Sequence, residues 1–187
     1  PDQAPEQALE AQLELCSVAP TDVEIVFNSH LHFDHAGLNH LFPHARVVVH
    51  EREVAQAREP ELFERLAYSD VSWDHSEARL TLLTGDQEIV PGVSAVETPG
   101  HSAGHCSLLV DPPESDGAPM LFGFDVAYTE RALVQEIQPA FHFDPVAGQR
   151  SITRLKDVAQ QHQADVFLCH DTAAWRNYRR APDFYEL

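Results

Sequence analysis

Apolar positions along the chain fall into two spacings. Val23, Ile25, Val26 and Phe27 form a short apolar run, and Arg46 to His50 forms another; runs of this length bounded by turn residues predict buried strands. Further strands are expected at Val93 to Glu97, Ser107 to Val110, Met120 to Phe124 and Val166 to Leu168. Arg79 to Thr84 and Glu88 to Val90 flank Gly85-Asp86, which predicts a hairpin. Helical spacing takes over elsewhere. Leu9, Leu13 and Cys16 suggest one amphipathic helix between Pro1 and Ala19, ended by Pro20, and Gly37 to Leu41 can begin another. Glu51 to Tyr68, with Val54, Leu62 and Leu66, reads as helix with a break near Pro60. Asp144-Pro145 opens a helix carrying Ile152, Leu155, Val158 and Ala159 on one face through Gln161. Alternating strands and helices make the class α/β.

Composition narrows this picture. The 187 residues, 43% hydrophobic, are enough for one domain with a real core. Thirty acidic residues against twelve basic ones give a net charge of −18, and Lys156 is the only lysine. Such a surface repels phosphate backbones and anionic membranes, so a small neutral substrate is a better partner than nucleic acid. The three cysteines, Cys16, Cys106 and Cys169, lie far apart, which suits packing thiols in a reduced, cytoplasmic compartment rather than a disulfide framework. No run approaches the roughly 18 apolar residues of a membrane span, and the N-terminus lacks a signal segment. A chain that starts at Pro1 with its only methionine at Met120 is expected to be less than a complete translated product.

Twelve histidines are the composition's second anomaly, and three of them fall within His30-Leu31-His32-Phe33-Asp34-His35. Zinc is held by neutral imidazole nitrogens and carboxylate oxygens on a rigid scaffold. In an extended loop His30 and His32 point the same way, and Asp34 and His35 can turn to a second position close by. The run follows a predicted strand, and His101, Asp125 and His170 each follow another. Ligands gathered on loops at one edge of a sheet are a usual way to hold a metal site.

The His30 to His35 run, the segment Thr98-Pro99-Gly100-His101-Ser102-Ala103-Gly104-His105, the lone Asp125 and Cys169-His170-Asp171 together resemble the metallo-β-lactamase superfamily in order and spacing. The resemblance implies an αββα sandwich lacking its N-terminal part. It also implies a dinuclear centre, two Zn2+ or other divalent metals: His30, His32 and His101 on one, Asp34, His35 and His170 on the other, and Asp125 bridging. An aspartate at 125 rather than a cysteine is similar to the hydrolase branches. Asp125-Val126-Ala127-Tyr128 resembles the N-acyl homoserine lactonases, in which a tyrosine three residues after the bridging aspartate contacts the lactone carbonyl. Packing at a strand end is the other reading of Tyr128.

The implied reaction is ring opening of an N-acyl homoserine lactone (quorum quenching) by a metal-bridging hydroxide. One metal and Tyr128 would stabilise the oxyanion, and Asp34 would pass a proton to the leaving alkoxide. Thioester cleavage of the glyoxalase-II kind, phosphodiester cleavage, or an inactive metal-binding fragment are the alternatives. Asp171 could orient His170 or be a solvated carboxylate. Phe33, Trp73, Phe141 and Phe143 could line an acyl-chain groove or pack in the core. His40, His44, His50, His75, His105, His142 and His162 are read as structural or surface residues, with His142 the first exception to consider.

Overall fold

The computed structural model describes residues 7–68, 79–111 and 117–185. A first helix, α1 (Leu9–Leu15), contributes no buried residue, so its apolar positions only graze the surface. β1 (Ile25–Phe27), β2 (Arg46–His50) and β3 (Leu80–Leu83) then form a parallel sheet in that order. Between them lie a single helical turn, α2 (Phe33–Ala36), and α3 (Glu51–Arg58). A second sheet runs β4 (Gln87–Val90), β5 (Val93–Glu97), β6 (Cys106–Val110), β7 (Met120–Phe122) and β8 (Asp165–Phe167), antiparallel except for the parallel β7–β8 pair. Two helices, α4 (Glu130–Val134) and α5 (Pro145–His162), separate those last strands.

Side-chain alternation along the strands builds four layers. Val48 on β2 joins Leu83, Ala95 and Cys106 in a cluster between the sheets, whereas its neighbour Val49 faces Val54 and Ala57 of α3. β2 is therefore covered on both faces, which is why Val47 to Val49 is apolar without alternation. On the far side Val96, Leu109 and Leu121 pack against Ile152 and Leu155 of α5, with Val158 and Ala159 beside them, the face read from the sequence. The order helix, sheet, sheet, helix is the αββα sandwich.

Three local expectations change. Leu80–Leu83 and Gln87–Val90 do not form a hairpin, because β3 pairs in parallel with β2 while β4 pairs with β5 across Pro91-Gly92. Gly85, at φ 84°, carries the chain from one sheet to the other, and its N–H donates to His50 Nε2. The helix expected through Tyr68 ends at Arg58. Glu59 before Pro60 is pushed out of helical geometry, and Leu62 and Leu66 are exposed rather than packed. Helix after the histidine run begins at Phe33 rather than Gly37, with only a 3-10 turn at Asn39–Leu41.

Candidate metal centre

Four loops at one end of the sandwich converge. The first leaves β1 at Asn28, whose N–H bonds the Val48 carbonyl and whose side chain is locked reciprocally to Asn39 at 3.2 and 2.8 Å. Leu31, fully buried, plugs the cluster over α3 and holds His30 and His32 on either side of itself. Asp34 and His35 then project from the single turn of α2. The second loop, between β5 and β6, brings His101. It needs Gly100 at φ 135°, where a Cβ would collide with the backbone of Gly148 in α5. Asp125 follows β7, and Cys169 with His170 follows β8.

Two donor sets result. His30, His32 and His101, all buried, place one ring nitrogen each within 4.8 Å of one another. His35, Asp125, Cys169 and His170 do the same on the outer side. Asp125 stands between them: Oδ2 lies 3.3 Å from His101 Nε2, while Oδ1 lies 3.2 Å from His35 Nε2 and 3.3 Å from His170 Nε2. Asp34 sits at the rim, its Oδ2 3.7 Å from His35 Nε2 and 4.0 Å from His170 Nε2.

The donor chemistry suits a cation. His101 Nδ1 donates to the Phe141 carbonyl at 2.9 Å, so Nε2 presents a lone pair, and it faces His32 Nδ1 at 3.0 Å. Burial drives His30 well below its ordinary pKa and lowers His32 to about 3, which favours neutral imidazoles. Buried ring nitrogens of His30, His32 and His35 (Nε2 in each) have no hydrogen-bond partner, an arrangement that is costly unless something else satisfies them. Burial by itself would raise Asp125, but the imidazoles of His170 and His35, 3.3 and 3.2 Å from its Oδ1, outweigh it and hold the carboxyl well below the usual carboxylate range.

Tyr128 stands at the edge of this cluster, its ring centroid 4.8 Å from His170 and 6.3 Å from His101. Burial, with Asp125 nearby, pushes its hydroxyl up to about 12. Phe141 packs over His32 and His101, whereas Phe33 is largely exposed and lines a separate cavity of about 990 Å³ with Asp34, His35, Leu38 and Trp175. Phe33 and Phe141 thus wall different sides. Trp73 and His75 lie outside the described residues. His142 bonds the Pro139 carbonyl through Nδ1. Asp171 does not orient His170: its carboxylate accepts from the N–H groups of Glu130, Ala173 and Ala174, capping two chain turns.

One supporting residue, Glu53, escaped the sequence reading, and a second, His105, has the structural role expected of it. Glu53 of α3, fully buried, accepts from Leu31 N–H, Gly104 N–H, the Ser102 hydroxyl and the Tyr68 hydroxyl, at 2.6 to 3.0 Å. It ties the histidine loop to the His101 loop. A Glu in the first turn of a charged helix reads as solvated, and only the close approach of Gly104 to its backbone places it inside. His105, also buried, faces Thr98 through Nδ1 and accepts from Asp125 N–H through Nε2, so it positions the loop that carries Asp125.

Residues 3–112 match the Metallo-beta-lactamase superfamily, and the chain belongs to it. Within that class the chain is 35% identical over 180 residues to the N-acyl homoserine lactonase AttM of Rhizobium radiobacter, covering 93% of this chain and 68% of that protein. It is 34% identical over 167 residues to the N-acyl homoserine lactonase AiiA of Bacillus thuringiensis subsp. kurstaki, covering 88% of this chain and 62% of that one. An N-acyl homoserine lactone hydrolase solved with N-hexanoyl-L-homoserine, its product, at the catalytic metal centre superposes with TM-score 0.81 at 31% identity. The match covers 99% of this chain and 70% of that one. Among the described residues no helix is long and apolar enough to cross a membrane.

Proposed function

We propose that this chain is a dinuclear zinc hydrolase that opens the lactone ring of N-acyl homoserine lactones. One observation carries the reading: the two oxygens of Asp125 face two separate donor sets. Likeness to lactonases, one of them with opened product at its metal centre, supports the substrate class. His30, His32 and His101 would hold one cation, Asp34, His35 and His170 the other, and Asp125 both. When bound, such a pair supplies Lewis acidity and lowers the pKa of a water from about 15.7 toward 7.

The chain's own groups do the rest. Buried, neutral imidazoles offer lone pairs without a competing proton. Tyr128, protonated well above neutral pH, donates a hydrogen bond to the lactone carbonyl oxygen as negative charge develops on it. Asp34, half-exposed at the rim, carries a proton to the ring oxygen as its bond to the carbonyl carbon breaks. The product is an acyl homoserine with a free hydroxyl and a carboxylate.

A screen of the zinc-loaded protein against an acyl homoserine lactone, a thioester and bis-p-nitrophenyl phosphate tests the reading. Preferred turnover of the lactone is expected. Preference for either of the others would overturn the substrate, and two equivalents of metal with no hydrolysis of any would identify an inactive metal-binding module.

A further inference from the structure

Two of the thiols occupy very different surroundings. Cys106 packs between the sheets among Val48, Leu83 and Ala95, as a small buried hydrophobe should. Cys169 belongs to none of the apolar clusters; its Sγ lies 3.3 Å from Asp125 Oδ1, on the side of that carboxylate that faces His35 and His170. Leu168, anchored in the core against α5, fixes the start of the turn that presents it. We infer that Cys169 is a ligand of the same cation as His35 and His170, so that the outer half of the centre includes a thiolate while the inner half has three imidazoles and the shared Asp125 only. This rests on the dinuclear reading above and adds a donor to it.

Spacing supports the assignment. With bonds of about 2.0 to 2.3 Å, two donors on one tetrahedral zinc stand roughly 3.3 to 3.7 Å apart. The sulfur, His35 Nε2 and His170 Nε2 lie 3.3, 3.2 and 3.3 Å from the same oxygen, and the four donor atoms are mutually within 4.8 Å. A ligand is called for independently of the cysteine. His35 Nε2 makes no hydrogen bond despite its closeness to Asp125, and fully buried His30, its ring centroid 4.1 Å from that of His35, also leaves Nε2 unpartnered. Asp34, the oxygen donor on this side, lies 3.7 and 4.0 Å from His35 and His170 Nε2 and is not one of these four donors. On binding, a sulfur–metal bond forms, the S–H bond breaks and the proton leaves to solvent. A soft sulfur donor there makes the two positions chemically unequal, the outer one favouring thiophilic cations such as Cd2+ or Co2+ over hard ones.

Cobalt reports both halves. Purified protein stripped by chelator and reloaded with Co2+ should show visible d–d bands together with a near-ultraviolet sulfur-to-cobalt charge-transfer band. In Cys169→Ser the charge-transfer band should be lost while d–d bands remain, and in Cys106→Ser both should persist. Cadmium NMR of the unmodified protein needs no variant: one of two resonances should move far downfield, as sulfur ligation requires. Normal d–d bands without charge transfer, a band that survives Cys169→Ser, or two cadmium resonances in the nitrogen and oxygen range would overturn the thiolate ligand and leave the dinuclear reading standing. Absence of d–d bands in the unmodified protein would overturn both.

Discussion

The inner and outer halves of the centre each take ligands from the same short run of sequence, yet they differ in almost every physical respect. His30, His32 and His101 are buried, walled by Phe141 and Tyr68 and held by Glu53 through the backbone of Leu31. His170 and Asp34 are 39% and 43% exposed at the side chain; Asp34 faces His35 and His170, and His170 faces Asp34 and Asp125. The inner half is thus part of the core, where packing sets the geometry before any cation arrives. The outer half is a rim, where solvent, substrate and protons can enter. Asp125, buried itself, couples the two.

Breaking the coupling should have the largest effect. Loss of a group that merely orients a ligand costs 10- to 100-fold in metal affinity or activity, so Asp125→Asn, which changes the bridge itself, is expected to lower lactone turnover by more than about 100-fold. Metal analysis of the same sample should show fewer than two equivalents; full occupancy would mean that Asp125 is not shared. Tyr128→Phe comes next. Removing one well-placed oxyanion donor commonly lowers kcat about 100-fold or more, and here metal content should not change. An unaltered kcat would return Tyr128 to a packing role.

Stability separates the halves at two apolar positions of the run, either side of His32. Leu31, fully buried, should cost about 2 to 5 kcal/mol on truncation to Ala. Phe33, 59% exposed, should cost within about 0.5 kcal/mol. Denaturant unfolding of the two variants measures this, and equal losses would erase the distinction between core and rim. Any fall in activity of Phe33→Ala would then report on the cavity that its ring lines rather than on folding.

Much of this was readable along the chain because it is local. A strand is a short apolar run, a loop begins where the run stops, and His30, His101, Asp125 and His170 sit where runs stop. The face of α5 follows from its periodicity, and Asp144 accepts from Val146 and Ala147 as an N-cap should. The false hairpin has a physical cause too: Gly85-Asp86 is a good turn, but a turn does not choose its strands' partners. Parallel pairing of β3 with β2 depends on contacts far apart in sequence. Glu53 escaped for the same reason, since it takes on its role only when another loop lies against it.

The sequence by itself determined the chemistry of the centre, because imidazoles and carboxylates in that spacing can meet over a metal and few other arrangements explain them. It also determined the α/β class, because hydrophobic periodicity reports which faces leave water, whereas the four layers were implied only by the family resemblance. Only the tertiary structure decided the division of labour: which oxygen of Asp125 faces which set, that Asp34 stands at the rim, and that Cys169 stands inside it. Those are matters of a few ångströms between residues up to about 140 positions apart, set by how two sheets and α5 pack, and no local pattern encodes them.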